Sequence, residues 1–248
     1  MGISKKGLIF GRHPIIEALR EGRTLEKILI QKGANGEQIR TIYHEALRNS
    51  VPIQSVPVEK LRRYPVDNHQ GVIALLSPIE YQDLDNIIFS CFEKGIDPLI
   101  LILDSITDVR NFGAITRTAE CMGVHAILVP NKGSALLNAD AVKTSAGALF
   151  KVPICRCASL VDQVRTLKNS GLKIITCSEK ATYTINKVDL NSPAAIVFGS
   201  EEFGISKEII KIADDHVKIP LTGTIGSLNV SVATGMVLYE IRRQRDLV

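Results

Sequence analysis

Hydrophobic and polar positions follow two different patterns along this chain, and the change comes at Pro98. Beyond Pro98, short apolar runs alternate with segments in which apolar residues recur at helical spacing. The runs predict strands in PLILILD, HAILVP, KVPICR, LKIITC, AAIVFGS and HVKIP. The periodic segments predict helices in FGAITRTAECMG, ADAVKTSAGALF, SLVDQVRTLKNSG, SKEIIKIA and Asn229–Arg245. Because strands that alternate with helices form parallel sheets covered on both faces, residues 98–248 are predicted to be an α/β domain.

Residues 1–78 are predicted to form a smaller α/β domain. Helical periodicity occurs in RHPIIEALREG and GEQIRTIYHEALRNS, and strand-like segments are LEKILIQ, VPIQSVP and GVIALLS. Residues 79–97 have a proline on either side and are predicted to be a linker, with a short helix through Ile87–Phe92.

The composition is that of a globular protein, since 45% of the 248 residues are hydrophobic and 23% are charged. The longest apolar run, Leu99–Leu103, is far too short to cross a bilayer, and the N-terminal stretch lacks the apolar core of a secretory signal. Five cysteines, an odd number, indicate reduced thiols rather than a disulfide framework. We therefore expect a cytoplasmic protein without membrane association.

Charge is unevenly distributed between the two parts. Residues 1–78 hold 12 basic and 7 acidic residues, whereas residues 79–248 hold 18 and 19. A basic domain attached to a nearly neutral one indicates a polyanionic partner such as nucleic acid. A solvated basic surface explains the same numbers, and the charge alone does not separate the two.

Several common chemistries lack their motifs here. No G-x-G-x-x-G is present, and GSEEFGIS, which has the glycine spacing of a phosphate-binding P-loop, carries Ile205 in place of the lysine and two glutamates in the loop. The five histidines are scattered. Cys155 and Cys157 face the same side of an extended segment, where buried structural thiols are a better explanation than a metal site.

Three polar stretches remain, each after the carboxyl end of a predicted strand, which is the edge where open α/β sheets bind ligands. The first, LDSITDVRNFGAITRTAE, carries Asn111 and, one turn into the next helix, Arg117. Taken alone, a helix-capping asparagine beside a solvated arginine is the favoured explanation.

The second stretch, AIVFGSEEFGIS, places Glu201 and Glu202 between glycines that let a ligand approach the backbone. A turn with exposed acids is the alternative.

The third stretch, IGSLNVSVATGMVLY, runs from small polar residues into a helix. The helix buries one face, at Val230, Ala233, Val237 and Ile241. Ser227 or Asn229 can cap it, but one cap suffices, and three polar residues preceded by TGTIG exceed that need. A helix N-terminus also offers free N–H groups to ligand oxygens, so a binding site is the second interpretation.

Together the three stretches resemble the three motifs of the SpoU/TrmH family of RNA ribose 2′-O-methyltransferases, in the SPOUT superfamily. The matching segments are NFGAITRTAE with Asn111 and Arg117, VFGSEEFGIS with Glu201, and IPLTGTIGSLNVSVA with Ser227 and Asn229. They occur in the family's order and cover the second predicted domain. GLIFGRHPIIEAL…NHQGVIALLSP also resembles the substrate-binding domain found ahead of it in many members, an L30e-like RNA-binding fold.

The resemblance implies a parallel-sheet domain with a deep trefoil knot, an exception to the rule against knotted chains. In the family, S-adenosylmethionine binds bent in the knot, which implies cofactor contacts here at Gly199, Ile219, Ser227, Leu228 and Asn229. No metal is implied. The family works as homodimers packed through the knot region, so an arginine of one subunit is expected near the cofactor of the other.

The resemblance also implies catalytic roles. Arg117 resembles the residue proposed to assist deprotonation of the ribose 2′-hydroxyl. Because a guanidinium is a poor base at neutral pH, stabilisation of the developing alkoxide is the role we assign to it. Asn111 and Glu201 are expected to hold Arg117 and the loops in place.

The expected function is S-adenosylmethionine-dependent methylation of a ribose 2′-hydroxyl in structured RNA, as part of ribosomal RNA processing. The chain looks most like members that methylate a guanosine in 23S ribosomal RNA. A tRNA ribose methyltransferase and an antibiotic-resistance rRNA methyltransferase are the alternatives. A non-catalytic RNA-binding protein with the same fold is disfavoured because Asn111, Arg117 and Glu201 are all present.

Overall fold

A four-stranded sheet and a seven-stranded sheet form the two units of this chain, Met1–Glu80 and Tyr81–Val248. The computed structural model describes residues 7–245. The first six residues, on which the expectation of no secretory signal partly rests, lie outside that range.

Unit 1 builds its sheet in the strand order β1-β4-β2-β3, with β4 antiparallel to both neighbours and β2 parallel to β3. Its core contains Ile15 and Leu19 of one helix, Ile42 of another, and Ile28 and Val72 of the central strands. The elements are β1 (Leu8–Phe10), α1 (Arg12–Arg20), β2 (Leu25–Gln31), α2 (Glu37–Arg48), β3 (Ile53–Val56), α3 (Val58–Leu61) and β4 (Val72–Leu76).

Unit 2 alternates strands and helices as the hydrophobic pattern predicts. Its helices are α4 (Leu84–Glu93), α5 (Val109–Cys121), α6 (Ala139–Thr144), α7 (Leu160–Asn169), α8 (Lys207–Ile212) and α9 (Val230–Arg245). Its strands are β5 (Leu99–Asp104), β6 (Ala126–Pro130), β7 (Ile154–Cys157), β8 (Lys173–Cys177), β9 (Tyr183–Thr184), β10 (Ala194–Gly199) and β11 (Asp215–Lys218). Two 3₁₀ turns lie at Ala148–Phe150 and Ile185–Lys187.

All strands of the unit 2 sheet are parallel, in the order β7-β6-β5-β10-β8-β11-β9. Every residue of β5 is buried, as expected for a central strand covered on both faces. Ile100 and Ile102 pack with α4, α7 and α8 on one face. On the other, α5 packs against α6 and α9. The predicted α/β fold with a parallel sheet is confirmed.

The segment predicted as a linker carries α4, whose residues Leu84 and Ile88 belong to the core of unit 2. The helix begins at Asp83, whose Oδ1 accepts a hydrogen bond from the Asn86 N–H at 2.9 Å. It is longer than the helix predicted through Ile87–Phe92, because Leu84, one turn before Ile88, also packs into this core.

The predicted continuous helix ADAVKTSAGALF is wrong, because α6 ends at Thr144. Ala146 and Gly147 both have positive φ angles, 51° and 85°, which stop helical hydrogen bonding before the following 3₁₀ turn. Within 7–245, no helix is long and apolar enough to cross a membrane.

Candidate active site

Two of the three polar stretches meet because their strands are neighbours. Asp104 at the end of β5 pairs in register with Gly199 at the end of β10. Since the strands are parallel, the loops that follow them leave the same edge of the sheet. The second loop and the first helix turn of α5 are therefore neighbours in space.

Asp104 ties the start of the loop after β5 to the end of the loop after β10, although the sequence analysis did not single it out. Its carboxylate is buried, and Oδ2 accepts a hydrogen bond from the Ser206 N–H at 2.7 Å while Oδ1 accepts one from Ser105 Oγ at 3.1 Å. The signal was available in the sequence: a carboxylate that ends an otherwise apolar central strand needs buried partners.

The loop after β10 is a tight turn that only glycine permits at its base. Ser200 O accepts from the Gly204 N–H at 2.8 Å, and Ser200 Oγ accepts from the Phe203 N–H at 3.0 Å. A Cβ on Gly199 would lie 2.1 Å from the Gly204 carbonyl carbon and 2.3 Å from the Ile205 nitrogen. Gly199 is therefore required by the close approach of two backbone segments.

Three residues from the three polar stretches form one hydrogen-bonded group, which we call the amide–carboxylate cluster: Asn111, Glu201 and Asn229. The Asn229 side-chain amide donates to Glu201 Oε1 at 2.9 Å and to Asn111 Oδ1 at 3.0 Å. The Asn111 amide donates to Glu201 Oε1 at 3.5 Å. Asn229 thus uses both of its amide hydrogens to join segments that are 28 and 118 residues away along the chain.

Asn229 caps α9 as well as joining the cluster. Its Oδ1 accepts from the Ser231 N–H at 3.0 Å and from the Ser231 hydroxyl at 2.6 Å, which is N-cap geometry at the start of α9. α5 is capped separately by Asp108, whose Oδ1 accepts from the Asn111 N–H at 2.8 Å. Asn111 is therefore not the cap, and its side chain is available to the cluster.

Arg117 lies apart from this cluster within one chain. It is exposed, and among residues 7–245 no hydrogen bond or ion pair joins it to Asn111 or Glu201. Helix geometry explains the separation, because six residues of α5 advance about 9 Å and turn the side chain about 120° away.

A cavity of about 260 Å³ opens beside the cluster at the carboxyl edge of the sheet. It is lined by four of the five residues predicted to contact a cofactor, Gly199, Ile219, Ser227 and Leu228. Asn229, the fifth, joins the cluster instead. Throughout 7–245, no hydrogen bond involves the backbone of residues 221–228, so Leu221, Ser227 and Leu228, which line the cavity, offer unpaired N–H and C=O groups to a ligand.

The cavity also contains Cys177, whose chemistry the sequence left open. Burial, and to a lesser extent the charge of Glu179, raises the pKa of the Cys177 thiol to about 12. The thiol therefore stays protonated at neutral pH and is a poor nucleophile. Cys155 and Cys157 are buried, and burial raises the pKa of each to about 12.

A second cavity, of about 370 Å³, lies on the other side of the loop after β10. Its lining includes Asn111, Asp108, Glu201 and Phe203. Phe203 lines both cavities and leaves 77% of its surface exposed, a feature that the sequence analysis missed. Glu201 of the cluster therefore borders both cavities.

No group of three or more His, Cys, Asp or Glu side chains that could hold a metal ion occurs in the described part of the chain. The five cysteines are free thiols, and three of them are buried. The local chemistry is therefore that of amides, a carboxylate and unpaired backbone groups.

The sequences of both units match those of known protein families. Residues 98–239 match the model of the SpoU rRNA Methylase family, and residues 8–82 match that of RNA 2′-O ribose methyltransferase substrate binding. A Staphylococcus saprophyticus protein named for the TrmH family of tRNA/rRNA methyltransferases is 36% identical over 243 residues, 97% of each chain.

Two solved structures are similar as well. The SpoU methyltransferase AviRb from Streptomyces viridochromogenes, in complex with the cofactor AdoMet, is 26% identical with a TM-score of 0.61, covering 97% of this chain and 91% of that one. The A. aeolicus TrmH/SpoU tRNA modifying enzyme is 34% identical with a TM-score of 0.56, covering 61% and 77%.

Proposed function

This chain belongs to the SpoU rRNA methylase family and is an S-adenosylmethionine-dependent RNA 2′-O-ribose methyltransferase, and from that premise we propose that it methylates the ribose of a guanosine in 23S ribosomal RNA. The observation that carries the proposal is the meeting of Asn111, Glu201 and Asn229 beside a cavity. Capping or a solvated surface does not require three distant segments to converge on one carboxylate.

The cavity of about 260 Å³ is the proposed site for S-adenosylmethionine, the methyl donor. Gly199, Ile219, Ser227 and Leu228 line it, and Asn229, which follows Leu228, is the fifth proposed binding residue. Adenine presents hydrogen-bonding edges and an apolar face. The unpaired backbone groups of Ser227 and Leu228 and the side chains of Ile219 and Leu228 offer the matching groups. When bound, S-adenosylmethionine supplies an activated methyl group, so the protein has only to orient the reactants and to handle one proton.

Arg117 is the proposed group that stabilises the alkoxide developing on the ribose. A guanidinium stays protonated and offers a planar set of donors, which suits a growing negative charge. An RNA phosphate is the proposed proton acceptor. In this proposal the amide–carboxylate cluster keeps the loop after β10 in position. Arg117 points away from the cluster of its own chain and therefore acts at the site of a second subunit.

A homodimer is proposed on the surface of α9. Val232, Met236 and Tyr239 are exposed at spacings of four and three residues, which places them on one face of the helix. Such an apolar stripe is typical of an interaction surface. Because α9 packs on α5, a second copy seated there would approach the helix that carries Arg117.

Because the chain belongs to this family, we also propose a trefoil knot in unit 2 and an L30e-like fold for unit 1. A trefoil knot is supported by the path of the chain, since Asn229 is tied to the loop after β10 and the helix that follows packs against α5. An L30e-like fold for unit 1 is supported by its mixed sheet with α1 and α2 packed against each other. Five free thiols support the cytoplasm as the compartment.

A tRNA substrate is the second candidate, because relatives are named for both tRNA and rRNA. We favour 23S ribosomal RNA because unit 1 adds a basic domain that suits a large structured RNA. Methylation of the same RNA for antibiotic resistance is the third candidate function. The presence of the amide–carboxylate cluster and of Arg117 argues against a protein that only binds RNA.

We expect the purified protein to bind S-adenosylmethionine with unchanged affinity in the presence of EDTA. The reason is that serine, glycine and apolar residues make up most of the cavity lining, and the described residues hold no group of three or more His, Cys, Asp or Glu side chains that could bind a metal ion. Titration calorimetry with and without EDTA measures this directly. Binding that disappears with EDTA and returns with a divalent ion would show a metal requirement and contradict the proposed site.

A further inference from the structure

Unit 1 contains a groove of about 690 Å³ that is separate from the methyl-transfer site. It is formed by the first residue of α1, the turn after β2, the start of α2 and the loop before β4. We call it the unit 1 groove. Its volume lies within the range of ligand pockets, and none of the described residues that line it is a carboxylate or a large apolar side chain.

One wall of the unit 1 groove is a fixed arginine. Arg12 Nε donates to Gln70 O at 3.2 Å, Nη1 donates to Asn35 O at 3.2 Å, and the Arg12 N–H donates to Gln70 Oε1 at 3.2 Å. These bonds hold the guanidinium across two loops. Its Nη2 has no hydrogen-bond partner in the range 7–245, so this donor is available to a ligand.

The other polar groups of the groove are also mainly donors. Lys32 is exposed, and its ammonium makes no ion pair or hydrogen bond with any described residue. His69 Nδ1 accepts from the Gly71 N–H at 3.0 Å, which leaves the proton of the neutral ring on Nε2, a donor. Gln70 uses its oxygen on Arg12, which leaves its amide hydrogens. A groove in which donors outnumber acceptors, with fixed positive charge and no carboxylate, favours an anion that carries several oxygens.

We propose that the unit 1 groove binds the phosphodiester backbone of the RNA substrate, with Arg12 and Lys32 contacting phosphates. The amides of Gln31, Gln38 and Asn68, which also line the groove, then face the edge of an adjacent unpaired base. This inference rests on the proposed function, because it takes RNA as the ligand. It adds which face of unit 1 receives that RNA and which residues make the contacts.

The test compares two lysines of unit 1 in the full-length protein. Lys32→Ala removes a charge inside the groove, and Lys60→Ala removes the same charge from an exposed position outside it. Binding to a 23S ribosomal RNA transcript is measured over a range of salt concentrations. Lys32→Ala is expected to weaken binding and to reduce the slope of log K against log salt by about 0.7–0.9, the value for one lost phosphate contact. Lys60→Ala should leave both unchanged.

A second pair separates geometry from charge. Arg12→Lys keeps the charge but loses the planar fork, and Arg62→Lys makes the same change at an exposed position outside the groove. Weaker RNA binding in Arg12→Lys alone, with the wild-type melting temperature, supports the groove. Weaker binding accompanied by a lower melting temperature would make Arg12 structural and overturn its assigned contact.

The outcomes also separate this proposal from the proposed function. Equal RNA affinity and equal salt slopes in wild type, Lys32→Ala and Lys60→Ala would overturn the groove and leave methyl transfer standing. An equal loss of RNA affinity in the two lysine variants would overturn the groove as well, because the loss would then reflect the net charge of the protein rather than a contact in the groove. Inorganic phosphate that binds wild type but not Lys32→Ala, while both proteins bind RNA equally well, would show a site for free anions and overturn the assignment to an RNA backbone. A wild-type protein that bound no RNA would overturn both proposals.

Discussion

Replacing Arg117 with alanine is expected to lower methyl-transfer turnover by about 10²-fold or more. Arg117 would stabilise charge that appears only in the transition state, so its loss should not change the ground-state affinity for S-adenosylmethionine. It is exposed and unpaired among the described residues, so the free energy of unfolding should change by less than about 0.5 kcal/mol. Turnover is measured with labelled donor and ribosomal RNA, beside a calorimetric donor titration.

Arg165→Ala is the matched control, because Arg165 is an exposed arginine on α7 whose side chain pairs, among residues 7–245, with Asp162 alone, at 3.0 Å. It should keep wild-type turnover. Lysine at position 117 should restore little activity, because it lacks the planar fork. Wild-type turnover in Arg117→Ala would remove Arg117 from the mechanism. Loss of donor affinity in proportion to turnover would make it a ground-state binding residue.

Gly199→Ala is expected to destabilise unit 2 by about 2–3 kcal/mol and to abolish donor binding. The added Cβ would fall 2.1 Å from the carbonyl carbon of Gly204 and 2.3 Å from the nitrogen of Ile205, both backbone atoms that cannot rotate away. The loop after β10 would have to move, and with it the carboxylate of Glu201. Thermal unfolding and donor calorimetry measure the two effects.

Gly235→Ala makes the same change on α9 without a clash. The added Cβ would lie 3.7 Å from Thr118 Cγ2, which is an ordinary contact, and alanine is a better helix residue than glycine. This variant should keep donor binding and be as stable as wild type or slightly more stable. If Gly199→Ala bound the donor as wild type does, the close approach at Gly199 would not be needed for the site.

Most of the unit 2 sheet could be predicted from the sequence, because its strands are short apolar runs between periodic segments. The six predicted runs correspond to β5, β6, β7, β8, β10 and β11. β9 was missed since two residues, Tyr183 and Thr184, are too few to form a pattern. The break after Thr144 was missed because helical periodicity continues through Ala146 and Gly147, whose positive φ angles a hydrophobic pattern does not reveal.

The site was only partly predictable. The individual stretches were recognisable, but the hydrogen bonds from Asn229 to Asn111 and Glu201 depend on strand order, which hydrophobic patterns do not specify. The expectation that Asn111 and Glu201 hold Arg117 in place stays a prediction, because the helical period of α5 turns Arg117 away from both residues of its own chain. Roles for these residues, and for the donor-binding set, therefore remain proposals that the substitutions above test.

The most direct measurement of the central claim is the chemical position of the transferred methyl group. The protein is incubated with labelled S-adenosylmethionine and, separately, with unmethylated 23S ribosomal RNA and with tRNA, and each RNA is then hydrolysed in alkali. A methylated 2′-oxygen cannot attack the neighbouring phosphate, so the bond after that nucleotide survives. The account predicts label from 23S RNA in an alkali-resistant dinucleotide that begins with guanosine, and none from tRNA. Label in mononucleotides would mean base methylation, and no transfer to either RNA would mean no such activity; either result would contradict the account.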